Sequence, residues 1–103
     1  MVRGSVVWVA LDPARGAEVP PKNQKTRPCI VVSRDIANEI SQTATVVPLS
    51  SVKGKAAERL VQPILTTDET GLPKASRALC DQVRTVDKER IGRNVRVLDT
   101  RVI

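Results

Sequence analysis

The stretch RPCIVVSRDIANEISQTATVVPLSS, from Arg27 to Ser51, decides the fold. It contains two apolar runs rich in β-branched residues, Cys29–Ser33 and Thr43–Leu49, and such runs predict strands. Arg27-Pro28 opens the first run, where a proline is tolerated because the first residue of a strand needs no ladder donor. Between the two runs, Asp35–Ile40 predicts a short helical turn. The stretch therefore predicts a strand, one helical turn and a second strand.

Short strands continue on both sides of this unit. The further predicted strands are Val6–Leu11, Leu60–Leu65, Ser76–Cys80 and Gln82–Val86. With Cys29–Ser33 and Thr43–Leu49, the chain has six predicted strands. A polar loop follows Thr43–Leu49, and Leu60–Leu65 contains a proline that predicts an edge position. Asp87–Gly92 predicts a helical turn closed by glycine, and Val95–Ile103 fits either a strand or a helix. Because no long helix is predicted, residues 1–103 indicate one mainly β domain, a small SH3-like antiparallel barrel with short helical turns.

The composition narrows the function classes. Seventeen Lys and Arg residues against 11 acidic ones give a net charge of +6. Such an excess fits a polyanionic partner such as nucleic acid, although a merely basic domain fits it too. The chain has no histidine, no CxxC pair and no phosphate-binding or dinucleotide-binding glycine loop. We therefore expect no metal site and no cofactor.

The cysteines and the apolar runs bear on the compartment. Cys29 and Cys80 each lie in or beside an apolar run, which predicts two buried free thiols in a reducing compartment. No run reads as a signal peptide or reaches the length of a membrane span. The sequence therefore predicts a cytoplasmic protein that does not contact a membrane.

Two strand ends carry the residue types that phosphate chemistry needs. Arg27 opens one strand, and Ser50 and Ser51 end another. A guanidinium matches phosphate oxygens with two donors, and a hydroxyl can donate to the same phosphate. Such a pair can stabilise the phosphorane formed when an RNA 2′-OH attacks its own phosphate. Taken singly, however, each of these residues also fits an ordinary surface charge or a turn.

Four blocks of the sequence occur in the order of a known family. They are RGSVVWVALDPARGAE (Arg3–Glu18), KTRPCIVVS (Lys25–Ser33), TATVVPLSS (Thr43–Ser51) and TGLPKASRALCDQVRTVDKERIG (Thr70–Gly92). Together they resemble the MazF/PemK family of toxin–antitoxin ribonucleases, and the last block is the most specific. The resemblance implies a barrel-like homodimer that cleaves single-stranded RNA without metal and leaves a 2′,3′-cyclic phosphate and a 5′-OH. It also implies a cognate antitoxin whose acidic tail lies in the RNA groove.

The resemblance assigns roles to particular residues. Arg27 matches the family's arginine before proline, and Ser50 falls where the family often has a catalytic threonine. We expect Arg27 to act by electrostatic stabilisation, because its pKa is too high for easy proton transfer. The expected RNA-binding residues are Arg15, Glu18, Lys22, Lys25, Ser51, Gln82 and Arg84. Trp8 is expected in the core, which leaves base recognition to arginine planes and backbone groups.

Departures from the family pattern keep two alternatives open. Ser5 replaces an aspartate, Ser50 replaces the threonine, and Leu79 stands where one branch has a catalytic arginine, so Asp81 is expected to be structural. The alternatives are a CcdB-like toxin, which has a similar dimeric fold and binds DNA gyrase, and an inactive module that binds RNA or antitoxin. The arginine and strand-end hydroxyl favour the nuclease.

Overall fold

A computed structural model describes residues 1–11, 26–52 and 62–99 of the chain. Seven strands and two short helices follow one another in these ranges. They are β1 (Ser5–Ala10), β2 (Thr26–Val31), α1 (Asp35–Ile40), β3 (Thr43–Ser51), β4 (Ile64–Leu65), α2 (Thr67–Thr70), β5 (Ser76–Ala78), β6 (Arg84–Asp87) and β7 (Ile91–Val97). Two 3₁₀ turns, Cys80–Gln82 and Lys88–Arg90, flank β6.

The strands form one antiparallel sheet in the order β4-β5-β3-β2-β1-β7. The long strand β3 organises it, because its first half pairs with β6 and its last residues pair with β5. β2 pairs with the middle of β3 on the opposite side, from Cys29↔Pro48 to Val31↔Val46. The two ends of β3 therefore diverge into two parts of the sheet, and β2 and β1 connect to its centre.

Alternating side chains of these strands form two apolar clusters, one on each face of the sheet. One contains Val6, Ile30, Val47, Leu49, Leu65, Leu72, Ala78 and Leu98. The other contains Val7, Val9, Leu11, Cys29, Val31, Val46 and Val86. The period-two alternation of a strand sends neighbouring residues to opposite faces, so the valine-rich runs contribute to both clusters. Val, Ile and Leu fill these cores almost without aromatic side chains.

The predicted mainly β antiparallel fold is confirmed, but the predicted barrel is not closed within the described ranges. The edge strands β4 and β7 do not pair with each other there. Helix α2 lies between them instead, and the Arg96 guanidinium on β7 donates to the Asp68 carbonyl of α2. Gly71 ends α2 with φ of 76°, a left-handed conformation that favours glycine. The segment after β4 is therefore a capped helical turn that separates the two sheet edges.

Several predicted boundaries move. β2 begins at Thr26, so Pro28 lies inside the strand, and β3 extends through Ser51. Gly92 does not close a helical turn but lies within β7. The same strand includes Val95–Val97, the first part of the segment that fitted either a strand or a helix. The internal proline of the fourth strand correctly predicted an edge position, since β4 ends the sheet. Leu60, at the predicted start of that strand, lies outside the described residues.

Two predictions about individual side chains are wrong. Cys80 is exposed, although it was expected to be buried, whereas Cys29 is buried as expected. Trp8 is only half-buried and packs at the margin of a core cluster. Over the described ranges, no helix combines the length and apolar character that crossing a membrane requires.

Candidate active site

The pairing of β2 with β3 brings Arg27 and Ser50 to the same end of the sheet. The register between these strands runs through Cys29↔Pro48, Ile30↔Val47 and Val31↔Val46. Continued by two residues, this register aligns Arg27 with Ser50. Each lies two residues from a paired residue, so both belong to the same sheet face. On the other side of Ser50, β5 supplies Arg77 as its partner.

A cleft of about 290 Å³ opens at this end of the sheet. We call it the Arg27 cleft. Three predicted site residues, Arg27, Ser50 and Ser51, lie in its wall. The remaining lining residues are Trp8, Thr26, Pro28, Leu49, Leu72, Pro73, Lys74 and Ser76. Residues from β1, β2, β3, β5 and the segment after α2 therefore meet in one cleft.

The described residues of the Arg27 cleft carry charges of one sign. Over residues 1–11, 26–52 and 62–99, Arg27 and Lys74 are its two cationic lining residues, and no carboxylate from these ranges lines it. Ser50, Ser51 and Ser76 add hydroxyl groups. Cations and hydroxyl donors without an opposing carboxylate fit the oxygens of a phosphodiester.

Behind Arg27, the sheet face carries a buried thiol between two arginines. Cys29 is fully buried, and its Sγ donates to the Arg27 carbonyl at 3.6 Å. Burial raises the pKa of Cys29 to about 12, while the positive charges of Arg27 and Arg84 act in the opposite direction. The thiol therefore stays neutral and serves as packing beneath Arg27.

Two arginines donate hydrogen bonds to the end of β1. The Arg84 Nη2 atom donates to the Leu11 carbonyl at 3.4 Å, and the Arg90 Nη1 atom donates to the Ala10 carbonyl at 3.1 Å. Arg84 pairs with Val46 across β3 and β6, so it shares a sheet face with Cys29. It does not line the Arg27 cleft.

Of the other expected RNA-binding residues, only Gln82 lies in the described part of the chain. Gln82 is exposed at the end of a 3₁₀ turn and does not line the Arg27 cleft. Arg15, Glu18, Lys22 and Lys25 lie outside the described residues. Asp81 accepts hydrogen bonds from the Gln62 side-chain amide at 3.1 and 3.3 Å.

Sequence reasoning missed Lys74 and misplaced Trp8. Lys74 lies within the GLPK part of the most specific block, which was the signal available for it. Its position in the cleft depends on the pairing of β5, which follows it in the chain, with the end of β3. Trp8 was assigned to the core because it lies in an apolar run, yet it lines the cleft from β1.

No metal-binding cluster is found in the described part of the chain. There, no group of three or more His, Cys, Asp or Glu side chains is placed to hold a metal ion.

Comparison with known proteins identifies the family. Residues 2–103 match the family described as the PemK-like, MazF-like toxin of type II toxin–antitoxin systems. The chain is 38% identical over 100 residues to endoribonuclease MazF9 of Mycobacterium tuberculosis, covering 92% of this chain and 80% of that protein. It is 34% identical over 92 residues to endoribonuclease PemK of Escherichia coli, covering 89% of this chain and 65% of that protein.

A solved structure shows the same fold. The MazE–MazF complex from Deinococcus radiodurans matches with a TM-score of 0.73 and 21% identity, covering 99% of this chain and 84% of that one. The family match spans nearly the whole chain and includes both strand ends that form the Arg27 cleft. This chain therefore belongs to the PemK-like, MazF-like toxin family of type II toxin–antitoxin systems.

Proposed function

We propose that the protein is a metal-independent endoribonuclease toxin that cleaves single-stranded RNA at specific sequences. The observation that carries the proposal is the Arg27 cleft, in which Arg27, Lys74 and Ser50 meet with no carboxylate among the lining residues that the structure describes. Relatives that are 34% and 38% identical carry the name endoribonuclease, which supports the same activity here.

In the proposed reaction, the substrate supplies the nucleophile. The RNA 2′-oxygen forms a bond to the adjacent phosphorus, and the bond from phosphorus to the 5′-oxygen breaks. One proton leaves the 2′-OH and one reaches the departing 5′-oxygen, so the products carry a 2′,3′-cyclic phosphate and a 5′-OH. DNA lacks the 2′-OH and is not a substrate for this step.

The protein contributes mainly electrostatic stabilisation. Negative charge grows on the phosphorane oxygens, and Arg27 offers a planar pair of donors to them. Ser50, aligned with Arg27 by the strand register, donates its hydroxyl to the same group. Lys74 adds a second positive charge at the cleft. Arg27 is not assigned as a base, because an arginine keeps its proton at neutral pH.

The test is cleavage of a long unstructured RNA in excess EDTA, with both product ends mapped. We expect discrete cuts with cyclic-phosphate and 5′-OH ends. Arg27→Ala should lower the cleavage rate at least 100-fold, the scale of losing one preorganised donor. Because Arg27 is exposed, the melting temperature should stay unchanged.

Arg34→Ala is the matched control. Arg34 is an exposed arginine beyond the opposite end of β2 and should retain full activity. If diverse RNAs are not cut by the wild type, the nuclease proposal fails. A gyrase assay and an RNA-binding assay would then separate the two alternative toxin functions.

We also propose that the RNA site is the binding site of a cognate antitoxin. The solved relative is a complex of MazE with MazF. A net charge of +6 and the cationic Arg27 cleft suit an acidic tail that orders on binding. An acidic antitoxin should inhibit cleavage by competing with RNA for the protein. The affinity of the antitoxin for the protein should fall as the salt concentration rises. Inhibition that is noncompetitive with RNA would contradict a shared site.

The proposal includes a homodimer. Ile36 and Ile40, one turn apart on α1, are 62% and 79% exposed. Exposed apolar side chains at this spacing provide a face that association of two copies can bury. Light scattering should give twice the mass of one chain at micromolar concentration. A monomeric mass that persists as the concentration rises would contradict this part of the proposal.

A further inference from the structure

A second cleft adjoins the Arg27 cleft and has no role in the proposed reaction. It has a volume of about 510 Å³, and we call it the Arg93 cleft. Its lining residues are Trp8, Ala10, Thr26, Asp87, Glu89, Arg90, Ile91, Gly92 and Arg93. Trp8 and Thr26 line both clefts, so the two adjoin at the indole. A strand that places a phosphate at Arg27 can therefore extend past Trp8.

The strand pairing is irregular at this junction. β1 and β7 pair through Val7↔Asn94 and then through Val9↔Ile91. Trp8 is the single residue of β1 in this interval, whereas β7 has two, Gly92 and Arg93. This is the arrangement of a β-bulge, which changes the direction of side chains and is enriched beside functional sites. Both bulge residues line the Arg93 cleft.

The groups around the indole are suited to a nucleotide. Trp8 is the only aromatic residue of the chain and is half-buried, so part of the ring remains accessible. Unpaired bases stack on aromatic rings, and arginine planes or charges assist the binding. Within the described ranges, Arg93 is exposed and its guanidinium takes part in no recorded hydrogen bond, whereas Arg90 is already bonded to the Ala10 carbonyl. Arg93 is therefore available to a ligand.

Carboxylates distinguish this cleft from its neighbour. Asp87 and Glu89 line the Arg93 cleft, whereas none of the described acidic residues lines the Arg27 cleft. Asp87 accepts a hydrogen bond from the Glu89 backbone, which leaves the Glu89 carboxylate as the freer acceptor. A carboxylate repels a phosphate but accepts hydrogen bonds from base amino groups. This chemistry fits a base in the second cleft and a phosphate in the first.

We propose that Trp8 is the base-stacking residue of the RNA site, and that the Arg93 cleft receives the base of a nucleotide next to the cleaved phosphate. This inference rests on the proposed ribonuclease function and names the subsite that holds part of the substrate. Trp8 is the stacking surface, Arg93 holds the nucleotide from β7, and Glu89 accepts from a base amino group.

The test uses the fluorescence of Trp8 itself. Because the chain has one tryptophan and no tyrosine, its emission reports on this site alone. The probe is a short single-stranded RNA containing the mapped cut sequence, with every 2′-OH replaced by 2′-O-methyl so that it cannot be cut. We expect saturable quenching of Trp8. A series of probes with one abasic position each should identify one base, beside the cut, whose removal abolishes quenching.

Variants test the same assignment by the affinity of a dye-labelled probe. Trp8→Leu should weaken binding about 5- to 150-fold, the scale of one lost stacking contact, and Trp8→Phe should restore most of it. Since Trp8 packs against the core, Trp8→Leu requires a melting control. Arg93→Ala alters an exposed side chain and provides a test that does not depend on folding; it should weaken binding and reduce quenching. Arg34→Ala, far from both clefts, should change neither.

The outcomes separate this inference from the proposed function. RNA cleavage by the wild type, with probe binding that leaves Trp8 emission unchanged, would overturn the stacking assignment and leave the nuclease intact. Equal quenching by every abasic probe would overturn it as well. If the wild type neither cleaves RNA nor binds the probe, the proposed function is overturned and this subsite with it.

Discussion

We expect Ser50→Ala to slow RNA cleavage about 12- to 160-fold, measured as the single-turnover rate at saturating RNA. The hydroxyl of Ser50 has no hydrogen-bond partner among the described side chains and backbone groups, so it is available to the substrate. A hydrogen bond to a charged group contributes about 1.5–3 kcal/mol, and each 1.36 kcal/mol of activation free energy changes the rate tenfold. The expected loss follows from these two values.

The same substitution should leave the fold unchanged. Ser50 is half-buried, and its strand pairing with β5 uses backbone groups that alanine retains. Removing its hydroxyl leaves no buried donor or acceptor unpaired, so the free energy of unfolding should change by at most about 0.5 kcal/mol. Thermal melting of both proteins checks this part of the prediction.

Two further variants make the prediction sharper. Ser50→Thr keeps the hydroxyl and adds a methyl group to a cleft of about 290 Å³, so it should retain activity. Ser51→Ala removes the other hydroxyl that β3 contributes to the cleft, one residue beyond the position aligned with Arg27, and should have the smaller effect. Unimpaired cleavage by Ser50→Ala, or a larger loss in Ser51→Ala, would refute the alignment of Ser50 with Arg27.

Three other predictions concern stability and thiol chemistry. Asn38 is 4% exposed and its amide donates to the Ser33 carbonyl at 2.9 Å, so Asn38→Ala should lower the free energy of unfolding by about 1–3 kcal/mol in denaturant titrations. Thr66 caps α2 by accepting a hydrogen bond from the Glu69 backbone, so Thr66→Ala should lower the free energy of unfolding by about 0.5–2 kcal/mol. An unchanged free energy of unfolding would contradict this prediction. Only Cys80 should react rapidly with a thiol reagent at pH 8, because the pKa of Cys29 is raised to about 12. Since the Cys29 thiol ionises near 9.0 when unfolded, its contribution to stability is complete below pH 9 and falls as the pH rises toward 12. Rapid labelling of both thiols in the native protein would contradict this.

The sequence was most informative where local pattern and structure share one cause. Runs of Val, Ile and Thr fit a pleated strand whichever partner they meet, so β1 and the Cys29–Val31 part of β2 were predicted closely. Strand ends were less certain. β3 continues through Ser51 because β5 supplies a partner for its last residues, a contact that lies 25 or more residues away in the chain.

The candidate site shows the same division. Arg27 and Ser50 were proposed from residue type and the family resemblance, and both line one cleft of the structure. Lys74 was not found, because nothing near it in the chain indicates that the segment after α2 lines the same cleft as the end of β3. Trp8 was assigned to the core, since an apolar run does not reveal that the neighbouring strand bulges and leaves a cleft beside the ring.

The sequence alone determined the mainly β class, the absence of histidine chemistry and the family, because these depend on composition, period-two alternation and motif order. The tertiary structure decided which side chains meet. It aligned Arg27 with Ser50, separated the cationic cleft from the cleft that contains carboxylates, and placed α2 between the sheet edges. These features depend on strand register and on contacts distant in the chain, and a shift of register by one residue would exchange the faces of a strand without changing its composition.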